Sequence, residues 1–443
     1  MNHKIVKQGL STLALGMGLM VSQQAFSANW LMLQGTEPTG SASRANVWGF
    51  VQAQYQKDYS DAFVAPNGSE LYIPPKLIGP SLDSQSQFNV NRARIGARGA
   101  NLPLDSNTNY FILAEFGNNL ITSTADYDGT ESTTKYAPHL TDASITFNNI
   151  KQARVRVGMF KYPGAEEGMQ AIHTFDYINF TNVTNQLTLE RFPSAEDLNL
   201  APQPEPGNSM NRFSQPVGAF RDTGVQVFST FKVGNWEHSY AAMVGNGNGV
   251  NIGSNNGKYN GYLYWSSERV FDGGGKKARR EGWKLFAWGQ EGERTNAYDL
   301  SQEQKRTRYG LGTKYLKKPF RVTAEYMWGK GMIFQGQQRP QDMFNDKEAD
   351  GGYIDIGFYI PKSKWEIDFR ADTYTRGENA AASGPDDKTK YNTVTIGTQY
   401  HFNKKTHATV SYDFRNDSSD TVAVNNQLEG VGGRLAIQVT AIY

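Results

Sequence analysis

The sequence predicts an all-β fold: a transmembrane antiparallel β-barrel of about sixteen strands, with a long third external loop folded into the lumen. Three observations predict it. The chain ends on an alternating segment that closes with an aromatic residue, similar segments recur throughout, and the N-terminus reads as an export signal. At the C-terminus, Leu435, Ile437, Val439, Ala441 and Tyr443 alternate with Ala436, Gln438, Thr440 and Ile442. A period of two with one apolar side is a half-buried strand. An unpaired strand edge invites aggregation, whereas a closed barrel pairs its last strand with its first and has no edge. An alternating terminal strand with a final aromatic is also the signal that outer-membrane proteins of Gram-negative bacteria present to their assembly machinery.

At the other end, Lys4 and Lys7 precede an apolar run from Leu10 to Val21, and Ala25-Phe26-Ser27 places small residues at the −3 and −1 positions of a cleavage site. Residues 1–27 therefore read as a signal peptide, too short and wrongly flanked for a retained span. Residues 28–45 are then a short N-terminal periplasmic segment and 46–443 the barrel. Without Lys4 and Lys7 the basic residues number 43, equal to the acidic ones. A near-neutral chain implies no nucleic-acid partner.

The chain has no cysteine, which excludes disulfides, thiolate metal sites and a thiol nucleophile. Hydrophobic residues make up only 38% and the mean hydropathy is −0.59. No later segment approaches the ~20 apolar residues of a membrane helix. In a barrel this polarity arises because half of each strand faces the lumen and the external loops are polar. The 24 Phe, 23 Tyr and 8 Trp suit girdles at the two membrane interfaces.

Sixteen alternating segments follow one another. They begin with Val47, Val51, Ala53 and Tyr55 against Gln52, Gln54 and Gln56, and with Ala93, Ile95 and Ala97 against Arg92, Arg94 and Arg98. They continue through Tyr110–Phe116, Ala143–Phe147, Val155–Met159, Val225–Val227, Tyr240–Val244, Leu263–Trp265, Trp283–Ala287 and Tyr309–Leu311. Val322–Trp328, Ile354–Ile360, Trp365–Ala371, Val394–Tyr400 and Ala408–Phe414 precede the terminal strand. Turn-like connections alternate with long ones rich in Gly, Asn, Asp and Ser, the asymmetry of periplasmic turns and external loops. Asp272 to Arg280 is long for a periplasmic turn. The longest connection, 162–220, is roughly 60 residues, far beyond an ordinary loop. It is expected to fold inward as a constriction; an external flap is the other reading.

Arginines fall on the lumenal parity: Arg92, Arg94 and Arg98 on the second strand, Arg154 and Arg156 on the fifth, Arg306 and Arg308, with Lys314, on the tenth. Stacked guanidinium groups on a water-filled wall offer successive weak anion sites. Lumenal carboxylates are nearly as numerous, among them Glu115, Asp142, Glu325 and Asp368, so cross-strand ion pairs are the competing reading. Loop three adds more acid than base.

Signals for an enzyme are poor. The six histidines lack metal-ligand spacing, no Gly-x-Ser-x-Gly elbow occurs, and no cofactor motif stands out. Gly245-Asn246-Gly247-Asn248-Gly249 opens no helix and reads as a loop. Asp126-Tyr127-Asp128-Gly129 lacks the downstream glutamate of an EF-hand.

Several segments together resemble the phosphate-selective porin O and P family. They are FNVNRARIGARG at 88–99, LTDASITF with VRVGMFKYPGAEEG across 140–168, and FRDTGVQV at 220–227. YAAMVGNGNG at 240–249, ADGGYIDIGFYIP at 349–361 and WEIDFRADTY at 365–374 continue the series. The resemblance implies a sixteen-stranded, usually trimeric outer-membrane channel whose third loop enters the lumen. Arg92 and Arg94 match the family's paired basic residues on the second strand, and Lys161 lies in the Gly-x-Phe-Lys-x-Pro entry to loop three. The acid-rich third loop and balanced lumenal charge depart from phosphate-specific members. The expectation is a porin for small hydrophilic solutes or inorganic anions, embedded among outer-membrane lipid and lipopolysaccharide. A barrel enzyme, or a sheath around a periplasmic partner, is the alternative.

Overall fold

The computed structural model describes residues 30–33, 44–61, 63–64, 70–71, 86–101, 104–117, 119, 138–150, 152–189, 219–250, 256–271, 280–295, 303–333, 348–378, 388–420 and 422–443. Sixteen strands form the wall: β1 (Asn46–Asp58), β2 (Ser86–Asn101), β3 (Asp105–Glu115), β4 (His139–Phe147), β5 (Arg154–Lys161) and β6 (Arg221–Val233). Next come β7 (Trp236–Gly245), β8 (Asn260–Val270), β9 (Gly282–Thr295), β10 (Glu303–Lys317) and β11 (Phe320–Lys330). The set ends with β12 (Glu348–Tyr359), β13 (Trp365–Glu378), β14 (Thr389–His401), β15 (Thr406–Ser419) and β16 (Arg434–Ile442). Each pairs antiparallel with the next, and β1 pairs with β16 to close the barrel. Each of the sixteen alternating segments of the sequence falls on one of these strands, three of them, ending at Phe116, Ile360 and Tyr443, running one residue past the strand end.

Closure is in register from Phe50 opposite Ile442 to Asp58 opposite Arg434. Beyond it, Tyr443 N–H donates to the Gly49 carbonyl (3.0 Å) and the Tyr443 hydroxyl to the Arg94 carbonyl (3.0 Å). A Cβ at Gly49 would meet both the Tyr443 ring and that carbonyl. Glycine is needed there by close approach. The apolar sides expected to face lipid do face outward: Val47, Val51, Ile95, Ile437 and Val439 are all exposed. Their neighbours Gln52, Gln54, Arg94, Gln438 and Thr440 are buried on the inside.

Aromatic residues gather at the two ends. Near the short turns, Trp236 packs on Trp283, Trp365 on Tyr400 and Phe320 on Phe358. Near the long connections, Tyr309 stacks on Trp328 and Tyr55 packs on Phe88. These are the two girdles the composition suggests. Short turns carry the backbone chemistry such turns need: Gly234 takes a positive φ of 59° between β6 and β7. The long turn between β8 and β9 returns at Arg280, whose guanidinium reaches inward to Glu237 (2.7 Å) and to Glu268. Among the described residues no helix is long and apolar enough to cross a membrane.

The expected leader at 1–27 and the Asp126-Tyr127-Asp128-Gly129 stretch lie outside the described residues. Residues 30–33, within the segment expected to be periplasmic, form a short helix inside the barrel. The physical reason is its composition: Trp30, Leu31 and Met32 bury their side chains in a lumenal apolar cluster with Phe228, Tyr264 and Phe286.

Candidate functional site

The candidate site is the lumen, built by the inward-facing half of each strand and by the described part of the third long connection. The two ends of that connection are tied together. Tyr162 N–H donates to the Phe220 carbonyl (3.1 Å), and Phe160, Tyr162, Leu189 and Phe220 share one cluster with Met243 and Tyr262. Between them, residues 162–189 are mostly buried against the wall. Gln52 on β1 donates to the Ile172 carbonyl (3.3 Å), and Tyr177 donates to Asp355 on β12 (2.9 Å). Asn182 N–H donates to Asp372 on β13 (2.8 Å), and its side-chain amide to Thr393 on β14 (2.9 Å). Loop charges Glu190, Arg191, Glu196, Asp197, Glu205 and Arg212 lie outside the described residues.

On the β2–β6 side the charges are mainly basic. Arg94 pairs with Glu115 at 2.6 Å, and Glu115 also accepts from the N–H groups of Ala93 and Gly117 (both 2.8 Å). Arg92 instead donates to the neutral Gln52 (3.0 Å), and Arg154 to Ser229 (2.8 Å). Arg156 donates to Thr146 (3.3 Å) and lies between the Phe160 and Phe228 rings, 5.3 and 4.4 Å from their centroids. Arg98 stands 6.0 Å over Phe111. Lys161 donates to the carbonyls of Gly168 and Gln170, both at 2.7 Å. A cation at the entry of the loop thus fastens the loop's first turn to the wall. Asp142 is paired with Arg221 (2.8 Å).

Across the lumen, carboxylates gather on β12 and β13. Arg321 on β11 meets Asp355 (2.8 Å), Glu366 (3.2 Å) and Asp368 (2.6 Å), and loop residue Asp176 at 3.0 Å. Arg370 stacks on Tyr177 (4.2 Å) and donates to the Asn179 carbonyl (2.9 Å). Between these walls Glu166 of the loop binds Lys284 on β9 (2.6 Å) and Lys314 on β10 (3.2 Å). These lysines hold its carboxyl down at about 2 despite burial. Glu325 accepts from the Trp288 indole (2.7 Å), the Tyr353 hydroxyl (2.9 Å) and the Glu166 N–H (3.1 Å). On β10, Arg306 donates to Gln290 (3.2 Å). Arg308 donates to the carbonyls of Leu187, Gly331 and Met332 at 2.9–3.1 Å.

The structure therefore splits the basic residues read from the sequence into kinds. Arg94 is an ion-pair partner, Lys161 and Arg308 fasten loops, and Arg92 and Arg154 bind neutral acceptors. Arg92, Arg94, Arg156, Arg306 and Arg308 point inward but are no more than 5% exposed, so loop and wall cover much of their charge. Arg221, Lys284, Arg321 and Arg370 were not singled out in the sequence. Simple alternation could have found three of them, since Arg321 shares parity with Glu325, Lys284 lies between Trp283 and Leu285, and Arg370 between Phe369 and Ala371; Arg221 shares parity with the exposed Val225 and Val227, so alternation points it outward. Among the described residues no group of three or more His, Asp or Glu is placed to hold a metal.

Comparison with solved structures places this barrel among known ones. The anion-selective porin from Comamonas acidovorans matches with a TM-score of 0.52 at 11% identity, covering 91% of this chain and 100% of that one. The outer-membrane channel DcaP of Acinetobacter baumannii matches at 0.50 and 11%, covering 93% and 100%. OmpF of Salmonella typhi matches at 0.51 and 13%, covering 90% and 97%. The fold is the one these barrels share. No protein-family model and no curated protein sequence matches the chain. At such identities the likeness concerns the fold alone, and the charges inside this barrel are its own.

Proposed function

We propose that this chain is an outer-membrane porin through which small hydrophilic solutes and inorganic ions diffuse passively. The observation that carries the reading is the two-faced wall: a closed sixteen-stranded barrel, apolar outside, with charged and amide side chains inside. Such a wall is stable only with lipid around it and water within. The third loop crosses from the β2–β6 side to β12–β14 and acts as the constriction. Solutes pass between a basic side and an acidic one, and the preference leans to anions, because the cations of β2–β6 include Arg92 and Arg154, which donate to neutral partners.

Membership of the phosphate-selective porin O and P family is part of this reading, resting on the succession of segments from FNVNRARIGARG to WEIDFRADTY. Phosphate specificity is not. The same resemblance supports a homotrimer, while the N-terminal residues 1–27 support a cleaved leader and the terminal strand ending on Tyr443 supports delivery by the barrel assembly machinery. Purified protein reconstituted into planar bilayers should give stable, ohmic conductance steps. A folded barrel that passes no current in salt would overturn the reading.

A further inference from the structure

Inside the barrel, the helix Trp30–Leu33 is the occupant of a built site. Trp30, Leu31 and Met32 are 7%, 4% and 9% exposed. The Trp30 indole N–H donates to Glu166 Oε1 (2.9 Å), and the Lys314 ammonium stands 5.5 Å over the indole ring. One residue on, the Leu31 carbonyl accepts from Arg156 Nη2 (3.2 Å). The apolar floor is Phe228 with Tyr264 and Phe286, the last two stacked at 6.5 Å and 16°.

None of these anchors was made by the segment. Glu166 is held by Lys284 and Lys314, and Arg156 by Thr146 and two rings. Lys284 also lies over Phe286 at 4.9 Å. The site is thus pre-organised around a ring, a ring N–H donor and a neighbouring carbonyl. Its occupant is a single helical turn, too short to be stable alone. Residues 34–45 join it to β1, and a connection of that length can reach roughly 40 Å when extended.

We propose that Trp30–Met32 is a tethered plug occupying a lumenal subsite for aromatic solutes that carry an N–H donor and a carbonyl group. The proposal rests on the channel reading only for its consequence for current; the subsite itself is a matter of binding. A site mostly filled by its own chain binds a free competitor more weakly in proportion to its vacant fraction.

The deciding experiment is calorimetric titration of N-acetyltryptophanamide into the folded, detergent-solubilised protein, comparing wild type, a Trp30–Leu33 deletion and Trp30→Ala. Heat-modifiable gel migration identifies which variants are folded, and Trp30→Ala serves if the deletion does not assemble. Affinity should rise about tenfold when the plug is removed, the change expected if it fills nine-tenths of sites. Equal affinity for wild type and a folded variant, or no binding to either, overturns the subsite. Bilayer recordings on the same proteins separate the two ideas. Tighter binding with silent bilayers sinks the channel and keeps the subsite. Conducting proteins with unchanged affinity do the reverse.

Discussion

Arg92 and Arg94 sit two residues apart on one face of β2, yet their partners differ in kind. Arg94 is bound to Glu115, which is fully buried. Removing one member of a buried pair leaves an uncompensated charge, at a cost of about 3–5 kcal/mol. Arg94→Ala should therefore lower the temperature at which the folded band converts on a gel, offset in part because Glu115 keeps two backbone N–H donors. Arg92 donates to neutral Gln52, so Arg92→Ala should cost less, about 1.5–3 kcal/mol, while reducing anion preference in bilayers. Equal heat resistance for the two variants would remove this distinction. His173 packs between loop and wall, 5.1 Å from Phe50 and 5.7 Å from Trp48. Burial, with Arg94 and Lys161 adding repulsion, holds its pKa down at about 4. As pH falls from about 6.5, the ordinary value, the unfolded chain takes up this proton before the folded one does. Stability should then be lost between pH 6.5 and about 4, and His173→Gln should flatten that part of the profile. Melting temperatures that rise over the same range would contradict the assignment.

Residues 162–189 of loop three illustrate how a segment can pack inside a fold without holding it up. Their contacts run to the side chains of β1, β5 and β7–β14, whereas barrel closure rests on strand-to-strand hydrogen bonds. Deleting 181–211 should enlarge unit conductance and leave assembly intact; unchanged conductance would put the loop outside the ion path. Strand β16 makes the complementary case. Val439 is exposed on the outer face and Gln438 buried on the inner one, one residue apart. An arginine on a lipid face costs about 2–4 kcal/mol near the bilayer midplane, and a lumenal one far less. Val439→Arg should depress the midpoint of urea unfolding in lipid vesicles much more than Gln438→Arg. The opposite order would mean that the parity of the terminal strand is wrong.

For the molecule as a whole, the charges divide across the lumen. Arginines and Lys161 predominate on β2–β6, and Asp355, Glu366, Asp368 and Asp372 on β12–β13 face them across the third loop. Near neutrality of the chain thus hides a transverse field. In a salt gradient the reversal potential should indicate a modest preference for chloride over potassium. Clear preference for potassium would show that the carboxylate side sets the field, with the arginines acting as struts.

Strand number, parity and closure were legible in the sequence because a half-buried strand writes its two faces into alternate residues, and lipid tolerates no charge on one of them. Leu435 to Tyr443 and the segments before it carried that record locally. The lumen kept no such record. Whether an inward arginine meets a carboxylate, an amide or a carbonyl depends on residues far away in the chain: Arg321 gathers Asp176, Asp355, Glu366 and Asp368, and Asp142 finds Arg221. The same holds for Trp30–Met32, which the sequence places in a short periplasmic segment and whose contact with Glu166 spans 136 residues. Alternation fixes which face a side chain takes; only closing the sheet decides what it meets there, because that partner is set by register and by the path of the loop, and neither is encoded within reach of a local pattern.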